Sequence, residues 1–217
     1  MTATARLTGL VCAAALALCS AASGQTQTPA PPRVRVGAGL GAGLLVGEGG
    51  SDFLDGGVSR WLGGTFRLDA AEHLNVHVEA GWMPLEPDDD EPTGVRAENT
   101  LDFLAVGPQV GVTLGRVRPF LAGLAGVARV RWKVEGASTG DGERSGSESS
   151  FGFGGRLGLA VDVDRGDHPV SLLAEAHLLD PGTLGYARAR SDSGATDALT
   201  PADVAVLSLR VGVTLGF

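Results

Sequence analysis

The sequence predicts an all-β fold, an eight-stranded antiparallel up-and-down transmembrane β-barrel. Three observations predict it. Apolar and polar residues alternate with period two in eight separate segments, the connections between these segments run alternately long and short, and no apolar run after Gly24 reaches the length of a membrane-spanning helix. The last segment, ADVAVLSLRVGVTLGF, shows the alternation best. Ala205, Leu207, Leu209, Val211, Val213, Leu215 and Phe217 fall on one side. Ser208, Arg210, Gly212, Thr214 and Gly216 fall on the other, with Val204 and Val206 above them. A helix would set Arg210 among the leucines, so a strand with one apolar and one polar face is the consistent reading.

The other seven segments follow in chain order. RVRVGAGLGAGLLVG places Val34, Val36, Ala38, Leu40, Ala42 and Leu44 on one face. RWLGGTFRLD groups Leu62, Phe66 and Leu68 opposite Thr65 and Arg67. LNVHVEAGWM sets Leu74, Val76, Val78, Ala80 and Trp82 against Asn75, His77, Glu79 and Gly81. LDFLAVGPQVGVTLG sets Leu104, Val106, Val110, Val112 and Leu114 against Ala105, Gly107, Gln109 and Thr113. RPFLAGLAGVARVRWKV sets Phe120, Ala122, Leu124, Ala128, Val130 and Trp132 against Arg129, Arg131 and Lys133. In FGFGGRLGLAVDVD, Phe151, Phe153, Leu157, Leu159 and Val161 oppose Arg156, Ala160 and Asp162. VSLLAEAHLL places Val170, Leu172, Ala174, Ala176 and Leu178 opposite Ser171, Glu175 and His177.

Long connections are expected near Glu48–Ser59, Pro84–Asn99, Glu135–Ser150 and Asp180–Ala202, and short ones near Asp69–His73, Gly115–Arg118 and Asp164–Pro169. Tight turns on the periplasmic side and longer loops outside are the asymmetry of an outer-membrane barrel. With that orientation Trp82, Trp132, Phe151 and Phe153 fall near the outer ends of their strands, and Phe120 and Phe217 near the inner ends, all on the apolar face. These form two aromatic belts at headgroup depth.

Residues 1–24 read as a signal peptide, with Arg6 ahead of LTGLVCAAALALC and the small residues SAASG after it. Residues 25–32 form a proline-rich lead-in, and residues 33–217 the barrel. Both cysteines, Cys12 and Cys19, lie in the signal segment, which excludes disulfide or thiol chemistry from the mature chain. Acidic residues outnumber basic ones by 25 to 17, so no basic surface for nucleic acid is expected. Export without disulfides suits a bacterial envelope and an outer-membrane location.

The whole of residues 33–217 resembles the small eight-stranded outer-membrane barrels of the OmpA/OmpX type. The last strand, VAVLSLRVGVTLGF, resembles the C-terminal strand of that class. The resemblance implies that Phe217, with apolar residues at alternate positions before it, is the signal read by the barrel-insertion machinery. It also implies outer-membrane lipid as surroundings, a monomer and no cofactor. The chain is expected to depart from longer members of the class in having no peptidoglycan-binding domain after the eighth strand.

The polar face predicts a lumen charge network of Arg35, Arg67, Arg129, Arg131, Arg156 and Arg210 with Glu79, Asp162, Glu175 and His177. An interior of eight strands is filled by side chains, and buried charges there must pair. A salt-bridged plug is therefore expected, with an anion-preferring pore lined by the arginine excess as the alternative. Arg210 and Glu175 come to similar depth on adjacent strands and are expected to pair. His77 with Glu79, and Glu175 with His177, are each spaced to share a face and could in principle bind zinc, but polar filling is the default because strands three and seven lie across the barrel from one another.

Other motifs carry less. GAGLGAG lacks the third glycine of a dinucleotide fingerprint, and its glycines suit a crowded interior. EPDDDE lacks the glycine and spacing of a calcium loop. Arg165-Gly166-Asp167 falls in a short turn. A lipid-modifying enzyme would need a nucleophile, base and acid within reach of lipid, and His77 and His177 point inward by parity. A soluble ligand-binding barrel would reverse the faces. The resulting expectation is a non-enzymatic envelope protein that acts in envelope integrity or surface interaction through its long acidic loops, where extracellular ligands would bind.

Overall fold

The computed structural model describes residues 34–46, 54–56, 58–67, 74–87, 96–135, 144–187, 199–203 and 205–217. The expected signal segment and lead-in, and the acidic run at 88–91, lie outside the described residues. Eleven strands occur, in chain order, among the described residues. They are β1 (Val34–Val46), β2 (Leu54–Gly56), β3 (Val58–Arg67), β4 (Leu74–Pro87), β5 (Arg96–Gly111), β6 (Val117–Glu135), β7 (Arg144–Asp164), β8 (Val170–Asp180), β9 (Thr183–Ala187), β10 (Leu199–Asp203) and β11 (Ala205–Gly216).

β1, β3, β4, β5, β6, β7, β8 and β11 each pair antiparallel with their neighbours, and β11 pairs back onto β1 to close an eight-stranded barrel. The seam runs from Arg35↔Gly216 to Val46↔Ala205. Beyond it the Phe217 N–H donates to the Val34 carbonyl at 2.9 Å, and the Val34 N–H donates to the Phe217 carbonyl at 3.3 Å. Closure gives each of these eight strands a partner on both sides, which a backbone in hydrocarbon requires. β2 adds to the far end of β4, and β9 and β10 form a separate two-stranded ribbon.

One end of the barrel carries tight turns. Leu114 and Val117 exchange backbone hydrogen bonds around Gly115 and Arg116, with Gly115 at φ 62° in the first central position. A positive φ there is the requirement of a type II′ hairpin, which suits the twist of the flanking strands. The Asp164–Pro169 turn is held by the Gly166 N–H on Asp164 Oδ1 at 3.1 Å and by Arg165, whose guanidinium donates to the Gly115 carbonyl. The Arg-Gly-Asp tripeptide thus braces one turn against the next.

At the loop end β4, β5 and β7 run further than the alternation suggested, whereas β6 covers nearly the stretch expected. β6 has 19 residues and β7 has 21, well past the 9–11 or so that a tilted strand needs to cross hydrocarbon. Arg144–Ser150, expected as loop, continues the β6–β7 ladder. Both faces of that stretch meet water, so nothing imposes an apolar alternation, yet the backbone ladder still forms.

The faces separate along most strands. On β11, Leu209 and Val211 are 61% and 64% exposed while Arg210 between them is 3% exposed. Val36, Leu40, Leu62, Leu104, Leu157 and Leu172 continue the exposed apolar belt around the barrel. An apolar belt of this extent is stable only against lipid.

Val112, expected outward, is buried, and β6 is the main exception to the expected faces. Its Phe120, Ala122, Leu124, Ala128 and Val130 are buried in the lumen, whereas Arg129 and Arg131 are exposed on the outside. The register decides this, because inward Phe103 and Ala105 of β5 pair with Ala128 and Gly126. The reversal turns Phe120 and Trp132 inward. The outward aromatic residues at the loop end are therefore Trp82, Phe151 and Phe153, with Phe217 and Phe66 at the turn end.

Val211 lies midway along the outward row of β11, so Val211→Arg should cost about 2–4 kcal/mol, the penalty of a guanidinium near the bilayer midplane. Urea unfolding in lipid vesicles would measure it. A neutral effect would mean that this face does not meet lipid.

Candidate functional site

The lumen concentrates the ionisable side chains. Near mid-barrel Glu79 on β4 points across the interior and meets side chains from three other strands. Its Oε1 lies 2.8 Å from His177 Nε2 on β8 and 3.3 Å from Arg210 Nη1 on β11, and its Oε2 lies 3.7 Å from Arg156 Nη1 on β7. His77, two residues before it, places Nε2 3.1 Å from Glu79 Oε2 and Nδ1 3.2 Å from Thr65 Oγ1.

Glu175 is the second acceptor. Arg156 Nε donates to its Oε2 at 3.0 Å, Arg156 Nη2 bonds the same oxygen, and Arg210 Nη1 is 3.7 Å from its Oε1. Arg156 also abuts His77. Two carboxylates, two guanidiniums and two imidazoles thus form one cluster with almost no water contact. The acids and arginines balance in charge, which limits the desolvation penalty of burying them together. Aromatic faces complete the surroundings, with Arg156 5.1 Å from the Phe120 ring, Arg210 5.2 Å from Phe103, and His177 stacked on Phe103 at 5.6 Å.

Large inward rings in so narrow a lumen require gaps opposite them. A Cβ on Gly39 would lie 2.7 Å from Trp61 Nε1, and one on Gly158 would lie 2.5 Å from Phe120 Cζ. Glycine at these positions is what admits the rings.

A second group sits at the turn end. Arg35 Nη1 donates to Ser171 Oγ at 2.9 Å, and Ser171 Oγ donates to Asp162 Oδ1 at 2.7 Å. Arg35 and Arg118 each lie 3.8 Å from the same Asp162 oxygen. Toward the loop end the interior becomes apolar. Met83, Leu85, Leu101, Phe103, Ala128, Val130, Leu179 and Val206 pack together beneath Leu184 of β9, and the Gly185 N–H bonds Glu148 Oε2 at 2.7 Å to hold β9 across the mouth.

Of the charges expected inside, Arg35, Glu79, Arg156, Asp162, Glu175, His177 and Arg210 face the lumen. Arg129 and Arg131 do not. Above the hydrocarbon the outside of a strand is wet and its inside is packed, so charge there marks the outer face. The side chain of Arg67 lies outside the described residues. Arg210 and Glu175 are direct cross-strand partners, as their depths suggested, but Arg210 lies closer to Glu79.

Sequence reasoning missed Arg118, Asp102, Trp61 and Leu184. Asp102 had a signal, since it is an acid at an apolar-face position. It pairs with Arg131 through bonds of 2.5 and 2.8 Å. The structure does bring the histidines and carboxylates of strands β4 and β8 together, but the two guanidiniums occupy the space among them, and no metal-binding group of three or more ligands occurs among the described residues.

A model of the outer membrane protein beta-barrel domain matches residues 10–176. The chain belongs to that family. This outer-membrane barrel superimposes on neisserial surface protein A with a TM-score of 0.54 at 16% identity, over 85% of this chain and 97% of that one. It superimposes on a major outer membrane protein from Thermus thermophilus with a TM-score of 0.50 at 17% identity, over 85% and 99% respectively. At these identities the likeness is one of fold. Among curated proteins, none matches the sequence.

Arg156→Leu should destabilise this outer-membrane barrel by about 3–5 kcal/mol, because it leaves buried carboxylates without their main cation. Adding Glu175→Gln should restore much of the loss. Asp102→Ala removes an ion pair at the exposed surface and should cost about 0–1 kcal/mol. Urea unfolding of the variants in vesicles gives the ranking, and equal losses for Arg156→Leu and Asp102→Ala would contradict it.

Proposed function

We propose that this outer-membrane barrel is a non-enzymatic protein with a closed lumen, serving envelope integrity and surface interaction through its loop end. The filling of the lumen carries this reading. A charge cluster at mid-barrel, an apolar plug above it and a bonded Arg–Ser–Asp group below leave three successive obstacles to an ion. The anion-preferring alternative rested on an excess of inward arginines, and two of those, Arg129 and Arg131, face outward. A catalytic reading gains no support from the histidines. His77 and His177 are 2% and 0% exposed inside the barrel, and His168 sits in a turn against Phe217. The partners that fit this reading are outer-membrane lipid, the insertion machinery acting on the strand that ends in Phe217, and extracellular ligands at the loops.

In planar bilayers the purified barrel should give no sustained conductance. Steady anion-selective channels would restore the pore reading. In cells lacking the gene, a version with its long connections replaced by short glycine–serine linkers separates the two roles. It should restore detergent resistance but not surface binding if the barrel serves integrity and the loops serve interaction. Restoration of neither by the full-length protein would remove both roles.

A further inference from the structure

The reversed face of β6 places guanidiniums where a membrane barrel meets the outer leaflet. On three adjacent strands the outward side chains change character at one step of the ladder. Leu104, Val127 and Phe151 form one apolar cross-strand row. The next row toward the loop end is Asp102, Arg129 and Ser149, and the one beyond is Thr100, Arg131 and Ser147. Two residues of strand span only about 7 Å, so hydrocarbon-compatible surface gives way to charge within one headgroup's thickness.

The charged side chains are ordered. Arg129 Nη2 donates to Ser147 Oγ at 2.7 Å. Asp102 grips Arg131 through Nε and Nη2, which fixes the direction of that guanidinium along the barrel wall. Directly below, Phe151 and Phe153 stand edge to face at 5.1 Å and leave an apolar wall beside Val127. The chain as a whole carries a net charge of −8, so two arginines against the single Asp102 on these two rows run against its general acidity. They contribute nothing to the lumen cluster.

We propose that the loop-end rim of β5–β7 is a docking surface for an outer-leaflet lipid whose headgroup is a net-anionic phosphate monoester, with no cationic substituent to neutralise it. Arg129 and Arg131, with the hydroxyls of Ser147 and Ser149, receive the phosphate. Val127, Phe151 and Phe153 receive the acyl chain below it. Arginine suits the role because its guanidinium N–H groups pair with phosphate oxygens and its charge persists at every physiological pH. With Nε and Nη2 of Arg131 held by Asp102, the phosphate meets Nη1 of Arg131 and the guanidinium of Arg129. The apolar wall sets this surface apart from a site for free phosphate, which would gain nothing from the rings. The inference goes beyond the closed-lumen reading and stands whether or not the barrel conducts.

The test uses the full mature chain in nanodiscs of phosphatidylcholine with or without phosphatidic acid, read by native mass spectrometry of retained lipid. The wild type should retain phosphatidic acid in preference to phosphatidylcholine. Arg129→Ser with Arg131→Ser should lower that preference roughly thirtyfold, at the strength two arginines have toward an anionic membrane surface. Arg116→Ser, at the opposite rim, should leave it unchanged. Heat-modifiable gel migration establishes that each variant has folded, and should a serine pair fail to fold, Arg129→Gln with Arg131→Gln takes its place. The proposal is overturned if the wild type shows no preference, if the double variant keeps it, if Arg116→Ser lowers it equally, or if inorganic phosphate added to phosphatidylcholine discs displaces phosphatidic acid at equal concentration.

Discussion

Glu79 and Glu175 hold negative charge in an interior that water scarcely reaches, and much of the lumen is arranged around them. Carboxylates so placed need cations in contact and hydrogen-bond donors on their remaining lone pairs. Arg156 and Arg210 supply the cations from two strands, and the two histidines line Glu79 from two more positions. Glu175 Oε1 is left without a hydrogen-bond donor, with Arg210 Nη1 3.7 Å away. Because the donors come from β4, β7, β8 and β11, the cluster also ties opposite walls of the barrel together. Backbone ladders alone connect only adjacent strands. Replacing such a cluster with apolar side chains would be energetically reasonable, but it would give up the fixed geometry that charge pairing imposes.

The rest of the lumen follows from limited width. Eight strands enclose room for side chains and little else. Each large inward ring therefore faces a position without a side chain, as Trp61 does at Gly39 and Phe120 at Gly158. Some of the glycines spread through the strands serve this purpose, and others lie where a neighbouring backbone comes close, as Gly107 does at Gly123. The outer mouth is closed by a different means, with Leu184 of β9 pressed onto the apolar cluster beneath it.

The barrel was legible in the sequence because a lipid-facing row admits little but apolar side chains, and the rule acts on every strand that crosses. β11 and β8 show it plainly. β6 does not, since residues 119–128 are apolar or glycine at both parities, and its arginines lie above the hydrocarbon, where the rule lapses. Only the pairing of Phe103 with Ala128 settles its faces. The extension of β7 was hidden for the same reason, residues 144–150 being largely exposed on both sides. The lumen cluster was half legible. Its members could be named from parity, and Arg210 with Glu175 from depth, but contact between Glu79 and His177 spans the barrel. Local periodicity holds no information about separation across a lumen.

The seam between β1 and β11 bears on the order of folding. It joins the first described strand to the last, so its ladder cannot form until every intervening strand has been made. A contact of such sequence separation carries the largest loop-closure cost in the molecule and is expected late. Until then the sheet is an open ribbon with two unsatisfied margins, one along β1 and one along β11. An open margin of that length is a template for unwanted pairing with another chain. Any factor that shields β11 before it meets β1 would therefore govern yield more strongly than one that acts on the finished barrel.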